Sequence, residues 1–294
     1  MEIAKTTKPS SFFTQYKSLT KKEFMIQIRY PISFISSFIM IFLIIAVFSM
    51  VAKLFLAPGS SSNNSTFNNS NLATYMFWGF MAFNIFGETL FSLGKSLRNE
   101  QQTGTLETLF LFPMNQLANL LSKISWGIFI NVLVGIFGFF VIEILTGTIL
   151  LSYPAILFTL LAFVCFILQI NGLAFFIAGL SIRLKDSIEP LVNFGQFVLM
   201  IFCSFFFPFA VLGPLVILSF IFPMSFSIDI LRSAIFNSTP ELASIVMSFG
   251  FGKEIIDLEW IYMFSTAILL PTIGYKYYIH TIYTGRQSGN LSDY

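Results

Sequence analysis

Long runs of apolar residues constrain this chain more than any other feature of its sequence. Several runs reach the ~20 mainly apolar residues that a helix needs to cross a bilayer. Only 10% of the 294 residues are charged and 56% are hydrophobic, whereas a typical soluble domain carries roughly 25% charged residues. Backbone groups in lipid must be hydrogen-bonded internally, and the runs are continuous rather than alternating, so helices are expected and not a β-barrel. The sequence therefore predicts an all-α integral membrane protein.

Six membrane spans follow from this pattern. They are predicted at about 32–56, 73–97, 118–148, 154–181, 191–211 and 260–280. Segment 212–257 is interrupted by prolines, and its apolar pieces are too short to span, so we expect re-entrant or extracellular helices between spans 5 and 6. The predicted regions are an N-terminal segment at 1–31, a six-span domain at 32–285 and a polar tail at 286–294.

The N-terminal segment is basic, and its lysines are interleaved with aromatic and aliphatic residues. This pattern favours an amphipathic helix lying in the membrane interface, with a disordered basic tail as the alternative. Lys and Arg in the loops set the orientation of a membrane protein. With the N-terminus in the cytoplasm, 13 of the 16 Lys and Arg residues lie inside. The sequence therefore predicts a multi-pass plasma-membrane protein with both termini cytoplasmic.

The loop between spans 2 and 3 is longer and more charged than a simple connection needs. Its pattern is E-x3-G-T-L-E-x-L-x3-P. Thr105 can cap a helix that begins at Leu106, after a break at Gly104. The leucines then share one face, and the glutamates remain for a partner or for water. A soluble motor can push such a helix, although an ordinary interfacial helix is the alternative. The candidate coupling residues are Glu100, Gly104, Thr105, Leu106, Glu107, Leu109 and Pro113.

A second distinctive stretch, at 204–236, reads SFFFPFAVLGPLVILSFIFPMSFSIDILRSAIF. Asp229 and Arg232 stand three residues apart on a presumed helix, so they can pair. Either charge alone is costly at membrane level. We interpret them as a structural pair that holds a re-entrant hairpin, which roofs a cavity and acts as an outer gate. The candidate gate residues are Pro208, Pro214, Pro223, Asp229 and Arg232.

Two carboxylates lie inside predicted spans, Glu88 in span 2 and Glu143 in span 3. Intramembrane acids usually face a bundle interior or a cavity. Each can meet a cationic substrate, carry a proton, or bond a neighbouring helix while protonated. Asn84 is a further polar residue of span 2, and helix–helix bonding is the ordinary role of such residues. Glu88, Asn84 and Glu143 are the candidate residues of a substrate path.

Several catalytic patterns are absent from the sequence. It has no G-x4-GK[ST] phosphate-binding loop and no H-E-x-x-H zinc motif, so no catalytic or metal-binding residue is predicted. Cys165 and Cys203 sit in apolar runs without metal-ligand spacing and are expected to be inert buried thiols.

The two distinctive stretches together resemble the type-2 ABC exporter permeases. The loop after span 2 is similar to their coupling-helix pattern, close to E-x3-G-T-x-E-x-L-x3-P. Stretch 204–236 is similar to their late segment, an apolar run ending in F-x-P, then a proline, then P-x-[ST]-[FY]-x2-D-x-[LI]-R. Gly213–Pro214 stands where the family often has Leu-Pro. The resemblance covers about residues 10–285.

This resemblance implies the permease subunit of an ATP-driven exporter of drug-resistance, lipid or polysaccharide type. Two permeases, identical or related, would pair around a path for a hydrophobic or amphipathic substrate. Each would dock one of two ATPase subunits, which bind the ATP and Mg, so this chain needs no cofactor of its own. Membrane lipid is the other expected partner, and nucleic acid is not. The alternatives are a self-sufficient secondary transporter or channel, and a non-transporting anchor or assembly subunit.

Overall fold

The computed structural model describes residues 11–29, 69–102, 114–146, 153–184, 188–249 and 254–288, with residues 35, 36, 39, 43, 47 and 252 between them. Throughout these residues the regular structure is helical, and no strand occurs in them. The fold class predicted from composition is therefore confirmed at the level of an all-helical chain.

Nine α-helices and one 3₁₀-helix can be followed through the described ranges. In chain order the α-helices are α1 (Phe12–Arg29), α2 (Asn69–Gln102), α3 (Gln116–Thr146), α4 (Tyr153–Leu184), α5 (Ile188–Phe202), α6 (Val216–Ser219), α7 (Pro223–Phe236), α8 (Glu241–Ser248) and α9 (Glu254–Ser288). The 3₁₀-helix, Phe209–Leu215, directly precedes α6. Pro223 occupies the first turn of α7, where a missing N–H costs no hydrogen bond.

Three of these helices contain stretches long and apolar enough to cross a membrane, at Gln116–Gly138, Ala155–Leu184 and Glu254–Gly285. They coincide with predicted spans 3, 4 and 6. Helix α2 covers predicted span 2 and has 34 residues, which makes it about 51 Å long at 1.5 Å per residue. Most of predicted span 1 lies outside the described residues. The six-span layout as a whole stays a prediction.

Predicted span 5, at 191–211, differs from the structure. Helix α5 has only 15 residues and ends at Phe202, so the stretch from 203 to 211 is not a continuation of one spanning helix. Ser204 adopts a φ of 53°, a left-handed conformation that a non-glycine residue rarely takes and that cannot continue an α-helix. Nothing in the apolar sequence CSFFFP indicates this turn, because its cause lies in contacts with distant residues.

The bundle is built around the parallel pair α4 and α9, which contact each other from Phe158 and Trp260 to Gly179 and Tyr277. Gly172 and Gly274 lie at their crossing, where a Cβ on Gly274 would overlap the carbonyl oxygen of Gly172. Small residues of this kind let two membrane helices approach closely. Gln169 of α4 donates from Nε2 to Thr266 Oγ1 of α9 at 2.9 Å and accepts from Ser227 Oγ of α7 at 2.8 Å. This buried amide therefore joins three helices in one position.

Helix α1 packs along α3. Tyr16 and Ser125 share a hydrogen bond of 2.8 Å between their hydroxyl groups, and the Phe24 ring lies edge-on to Trp126 at 4.7 Å between centroids. Residues 12–29 thus form a helix, as the amphipathic pattern favours, and these residues are not a disordered tail. The interfacial position of this helix stays a prediction.

Candidate functional sites in the bundle

Glu88 is held in a fixed position on α2. One of its carboxylate oxygens, Oε2, accepts a hydrogen bond from Asn131 Nδ2 of α3. The same nitrogen donates to the Gly127 carbonyl oxygen at 2.9 Å, so the amide is itself anchored. A Cβ on Gly127 would lie 2.8 Å from Glu88 Oε1, and the glycine is therefore what allows the carboxylate to approach α3.

Of the other two predicted path residues, Asn84 does not join Glu88. Asn84 donates from Nδ2 to the Phe80 carbonyl oxygen of its own helix at 2.9 Å. Glu143 lies near the far end of α3, and its side chain is outside what the structure describes. Gln196 of α5, in contrast, lies against Gly87, since a Cβ there would collide with its side-chain amide. Helix α2 therefore contacts α3 at Glu88 and α5 at Gly87.

A buried ion pair connects the ends of α2 and α3 that lead to the predicted coupling segment. Lys123 Nζ lies 2.6 Å from Glu100 Oε1, and the two side chains are 4% and 18% exposed. Ser92 Oγ donates to the Lys123 carbonyl oxygen at 3.2 Å. Of the predicted coupling residues only Glu100 can be placed; Gly104, Thr105, Leu106, Glu107, Leu109 and Pro113 lie outside the described residues.

Helix α1 also reaches this end of α3. Gln15 Oε1 accepts a hydrogen bond of 2.8 Å from the Asn115 amide N–H, one residue before α3 begins. Asn115 Oδ1 in turn accepts from the Leu117 N–H at 3.0 Å and caps the helix. The chain is therefore held at Glu100 by Lys123 of α3 and at Asn115 by α1, on either side of the segment for which coupling is predicted.

Arg232 of α7 binds the turn that ends α5. Its guanidinium donates from Nη1 to the Ser204 carbonyl oxygen at 2.7 Å and from Nη2 to the Phe205 carbonyl oxygen at 2.5 Å. The group also lies 3.7 Å above the Tyr75 ring centroid and donates to the Tyr75 hydroxyl at 2.8 Å. Tyr75 then donates to the Phe207 carbonyl oxygen at 3.0 Å. These bonds satisfy carbonyl groups that the break in α5 leaves free.

The predicted pairing of Asp229 with Arg232 is wrong. Asp229 accepts from the Glu241 N–H at Oδ1 (2.9 Å) and from the Leu242 N–H at Oδ2 (2.6 Å). Asp229 therefore binds backbone N–H groups at the start of α8 that have no partner within the helix. The positive end of the helix dipole also favours a negative charge at this position. Burial raises the pKa of Asp229 to about 7, while these two N–H groups oppose the shift.

Glu241 joins the 3₁₀-helix to the same cluster. Its Oε2 accepts a hydrogen bond of 2.7 Å from the Phe209 N–H, and burial raises the pKa of this carboxyl. Pro208 immediately precedes the 3₁₀-helix, and Pro214 lies within it, after Gly213 at a φ of 53°. A cavity of about 660 Å³ opens beside the cluster; its lining includes Tyr75, Pro208, Asp229, Arg232 and Glu241.

The structure brings three of the five predicted gate residues, Pro208, Asp229 and Arg232, to one cavity and shows two partners that sequence reasoning missed, Tyr75 and Glu241. Lys123 was missed as well, and its only sequence signal was a charge just inside a predicted span. Glu259 of α9 was missed too. It is 3% exposed and lines a separate, apolar cavity of about 540 Å³.

The long apolar helices and the buried polar contacts between them define a helical membrane protein. Comparison with protein-family models gives a match to the ABC-2 type transporter family over residues 14–236, more than half of the chain. The chain therefore belongs to the ABC-2 type transporter family, and it is a transmembrane permease of an ABC transporter. No curated protein and no solved structure matched the chain.

Proposed function

We propose that this chain is the permease subunit of an ATP-driven exporter in the plasma membrane, with both termini in the cytoplasm. The family match over residues 14–236 carries the proposal, because members of this family form the membrane part of the transporter. The sequence has no phosphate-binding loop of its own. In this proposal ATP and Mg bind to two ATPase subunits, one for each of two paired permeases, and this chain supplies the membrane path.

Coupling is proposed to enter through segment 103–113. The ATPase pushes this segment, and the push reaches α2 through Glu100 and α3 through Asn115. The Glu100–Lys123 pair supports this role, because it joins the two helices where the segment leaves and re-enters the bundle. Interfaces and packed helices respond to such a push by rigid shifts rather than by continuous bending. Helices α2 and α3 then move together, and α1 moves with them.

The polar residues Tyr75, Asp229, Arg232 and Glu241, here called the outer cluster, are proposed to act as the gate. Arg232 fixes the turn after α5, and Asp229 and Glu241 fix α8 and the 3₁₀-helix. These contacts make the short helices one unit, so the unit can open or close as a whole over the path. Substrate then passes the α2 surface at Glu88, with Asn84 and Glu143 on the same two helices, and leaves under the gate.

Co-purification tests this function. The tagged full-length chain, extracted in mild detergent, is expected to retain an ABC ATPase and a second permease copy or a related permease. ATP turnover by the reconstituted complex should be abolished by a substitution in the phosphate-binding loop of the ATPase. Transport by the purified chain alone, driven by an ion gradient without any ATPase, would instead identify a secondary transporter and contradict the proposal.

A further inference from the structure

Glu88 differs from its neighbours on α2 in its exposure. Of the α2 side chains that the structure describes, Glu88 alone is exposed, and its neighbours on the helix are buried or half-buried. An exposed position on a packed membrane helix ordinarily carries an apolar residue that faces lipid. A carboxylate there is costly to place in hydrocarbon and indicates a cavity or a ligand instead.

The length of α2 places this carboxylate within the hydrocarbon core of the membrane. Glu88 lies 19 residues after Asn69 and 14 residues before Gln102, which is about 28 Å and about 21 Å from the two ends at 1.5 Å per residue. The hydrocarbon core is ~30 Å thick. Wherever that core lies along the 34-residue helix, provided that the helix crosses it, Glu88 falls inside.

Among the described residues the Glu88 carboxylate has no counter-ion. None of the ion pairs among the described residues includes Glu88, and its side-chain partner there is the neutral amide of Asn131. Asn131 is 2% exposed and is anchored to Gly127, so the carboxylate is held at the bundle and kept from turning toward water at the membrane surface. A fixed negative group in this position attracts a cation and repels an anion.

The surroundings favour a cation with an apolar body. Gln196 of α5 lies beside Gly87, and on that helix Phe194 and Phe197 are 67% and 60% exposed. Aromatic faces attract organic cations and also accept apolar groups. A compact, strongly hydrated metal ion would need several oxygen ligands, whereas the described contacts of this position supply one carboxylate and the amide of Asn131.

We propose that Glu88 is the recognition site for the charged group of a cationic amphipathic substrate. The inference rests on the proposed transport function and assigns its substrate class, a hydrophobic organic cation. Asn131 acts as a positioning residue, because it touches the carboxylate and not the substrate. Anionic lipids and polysaccharide phosphates are excluded from this position by charge.

Tetraphenylphosphonium is a suitable probe because it carries one positive charge on an aromatic body at every pH. Triphenylphosphine oxide is a comparable neutral molecule. Equilibrium binding of both is measured to the full-length chain in lipid nanodiscs. Glu88→Gln, which keeps an oxygen for Asn131, is expected to weaken phosphonium binding about tenfold or more, equivalent to 1.4 kcal/mol per tenfold. Binding of the phosphine oxide should not change.

Two further variants make the comparison specific. Glu88→Asp should retain part of the phosphonium affinity, because it keeps the charge. Glu254→Gln removes an exposed carboxylate at the start of α9 and should leave the affinity unchanged. Equal phosphonium binding by the wild-type and Glu88→Gln proteins would overturn the inference. So would a folded wild-type protein that binds no phosphonium, since Glu88 would then serve a proton or the helix packing alone.

A test on the unmodified chain covers the case in which Glu88→Gln does not fold. A hydrophobic carbodiimide labels carboxyl groups in membrane interiors, and peptide mass spectrometry locates the product. Phosphonium should protect Glu88 from labelling and leave labelling elsewhere unchanged, and equal labelling with and without phosphonium would contradict the inference. ATPase co-purification from the same preparation is scored separately: if the ATPase is retained while protection fails, only the substrate class is wrong.

Discussion

Lys123 Nζ and Glu100 Oε1 lie 2.6 Å apart in a nearly buried ion pair, and this pair closes the gap between α2 and α3 at the edge of the predicted coupling segment. A charge pair so poorly exposed has lost most of its hydration. The contribution of the pair to stability therefore depends on both members being present. A substitution of either residue tests how α2 and α3 act together.

Lys123→Met is expected to destabilise the protein strongly. It removes the Lys123 charge from a buried pair, and breaking a buried pair in this way costs roughly 3–5 kcal/mol. The apparent melting temperature of the purified chain measures the effect. Lys22→Met serves as the control, because Lys22 is 60% exposed and its pair with Glu23 spans 3.8 Å; exposed pairs contribute ~0–1 kcal/mol. Similar melting temperatures for the two variants would show that the Glu100 pair does not stabilise the bundle.

Glu107→Arg is expected to impair the partner interaction and not the fold. If segment 103–113 docks in a groove of the ATPase, Glu107 is desolvated there and needs a cationic or hydrogen-bonding partner. The variant should insert normally and recover clearly less ATPase in a pull-down, or hydrolyse ATP without transport. Glu254→Arg is the matched control on the opposite side of the predicted topology. Wild-type recovery and wild-type coupling for Glu107→Arg would remove this residue from the proposed interface.

Tyr75→Phe is expected to loosen the outer cluster. The change keeps the ring beneath Arg232 but removes the hydroxyl that bonds both Arg232 and the Phe207 carbonyl oxygen. Leaving buried polar groups without a partner costs ~1–3 kcal/mol each. Hydrogen exchange at residues 203–209 should become faster, while exchange in α4 and α9 should not change. Unaltered exchange at the turn would show that backbone contacts alone hold it.

Accessibility of introduced cysteines tests the predicted topology. The two natural cysteines, Cys165 and Cys203, are buried, so background labelling of the folded protein should be low. Ser61→Cys and Asn69→Cys should react with an impermeant thiol reagent applied to intact cells. Gln102→Cys and Ser288→Cys should react only after lysis. The reverse labelling pattern would place both termini outside the cell and would contradict the predicted topology.

The sequence was sufficient to predict the three long apolar helices but few of their contacts. Apolar length located α3, α4 and α9 because lipid imposes a one-dimensional requirement on each segment by itself. The end of α5 was not predictable, because Ser204 turns there in response to Arg232, 28 residues away. The spacing of Asp229 and Arg232 suggested a local pair, yet each binds a different element. Buried polar side chains find partners across the fold, and a single sequence does not record which.

Membrane insertion must accommodate the position of α1. Its contacts with Asn115 and Ser125 join residues 100 and 109 positions apart in the chain. At a synthesis rate of ~5–20 residues per second, the partner surface emerges about 5–20 s after α1 itself. During that interval α1 has no permanent neighbour on α3. The final docking of α1 therefore follows the synthesis of α3 and is a late step in the assembly of the permease.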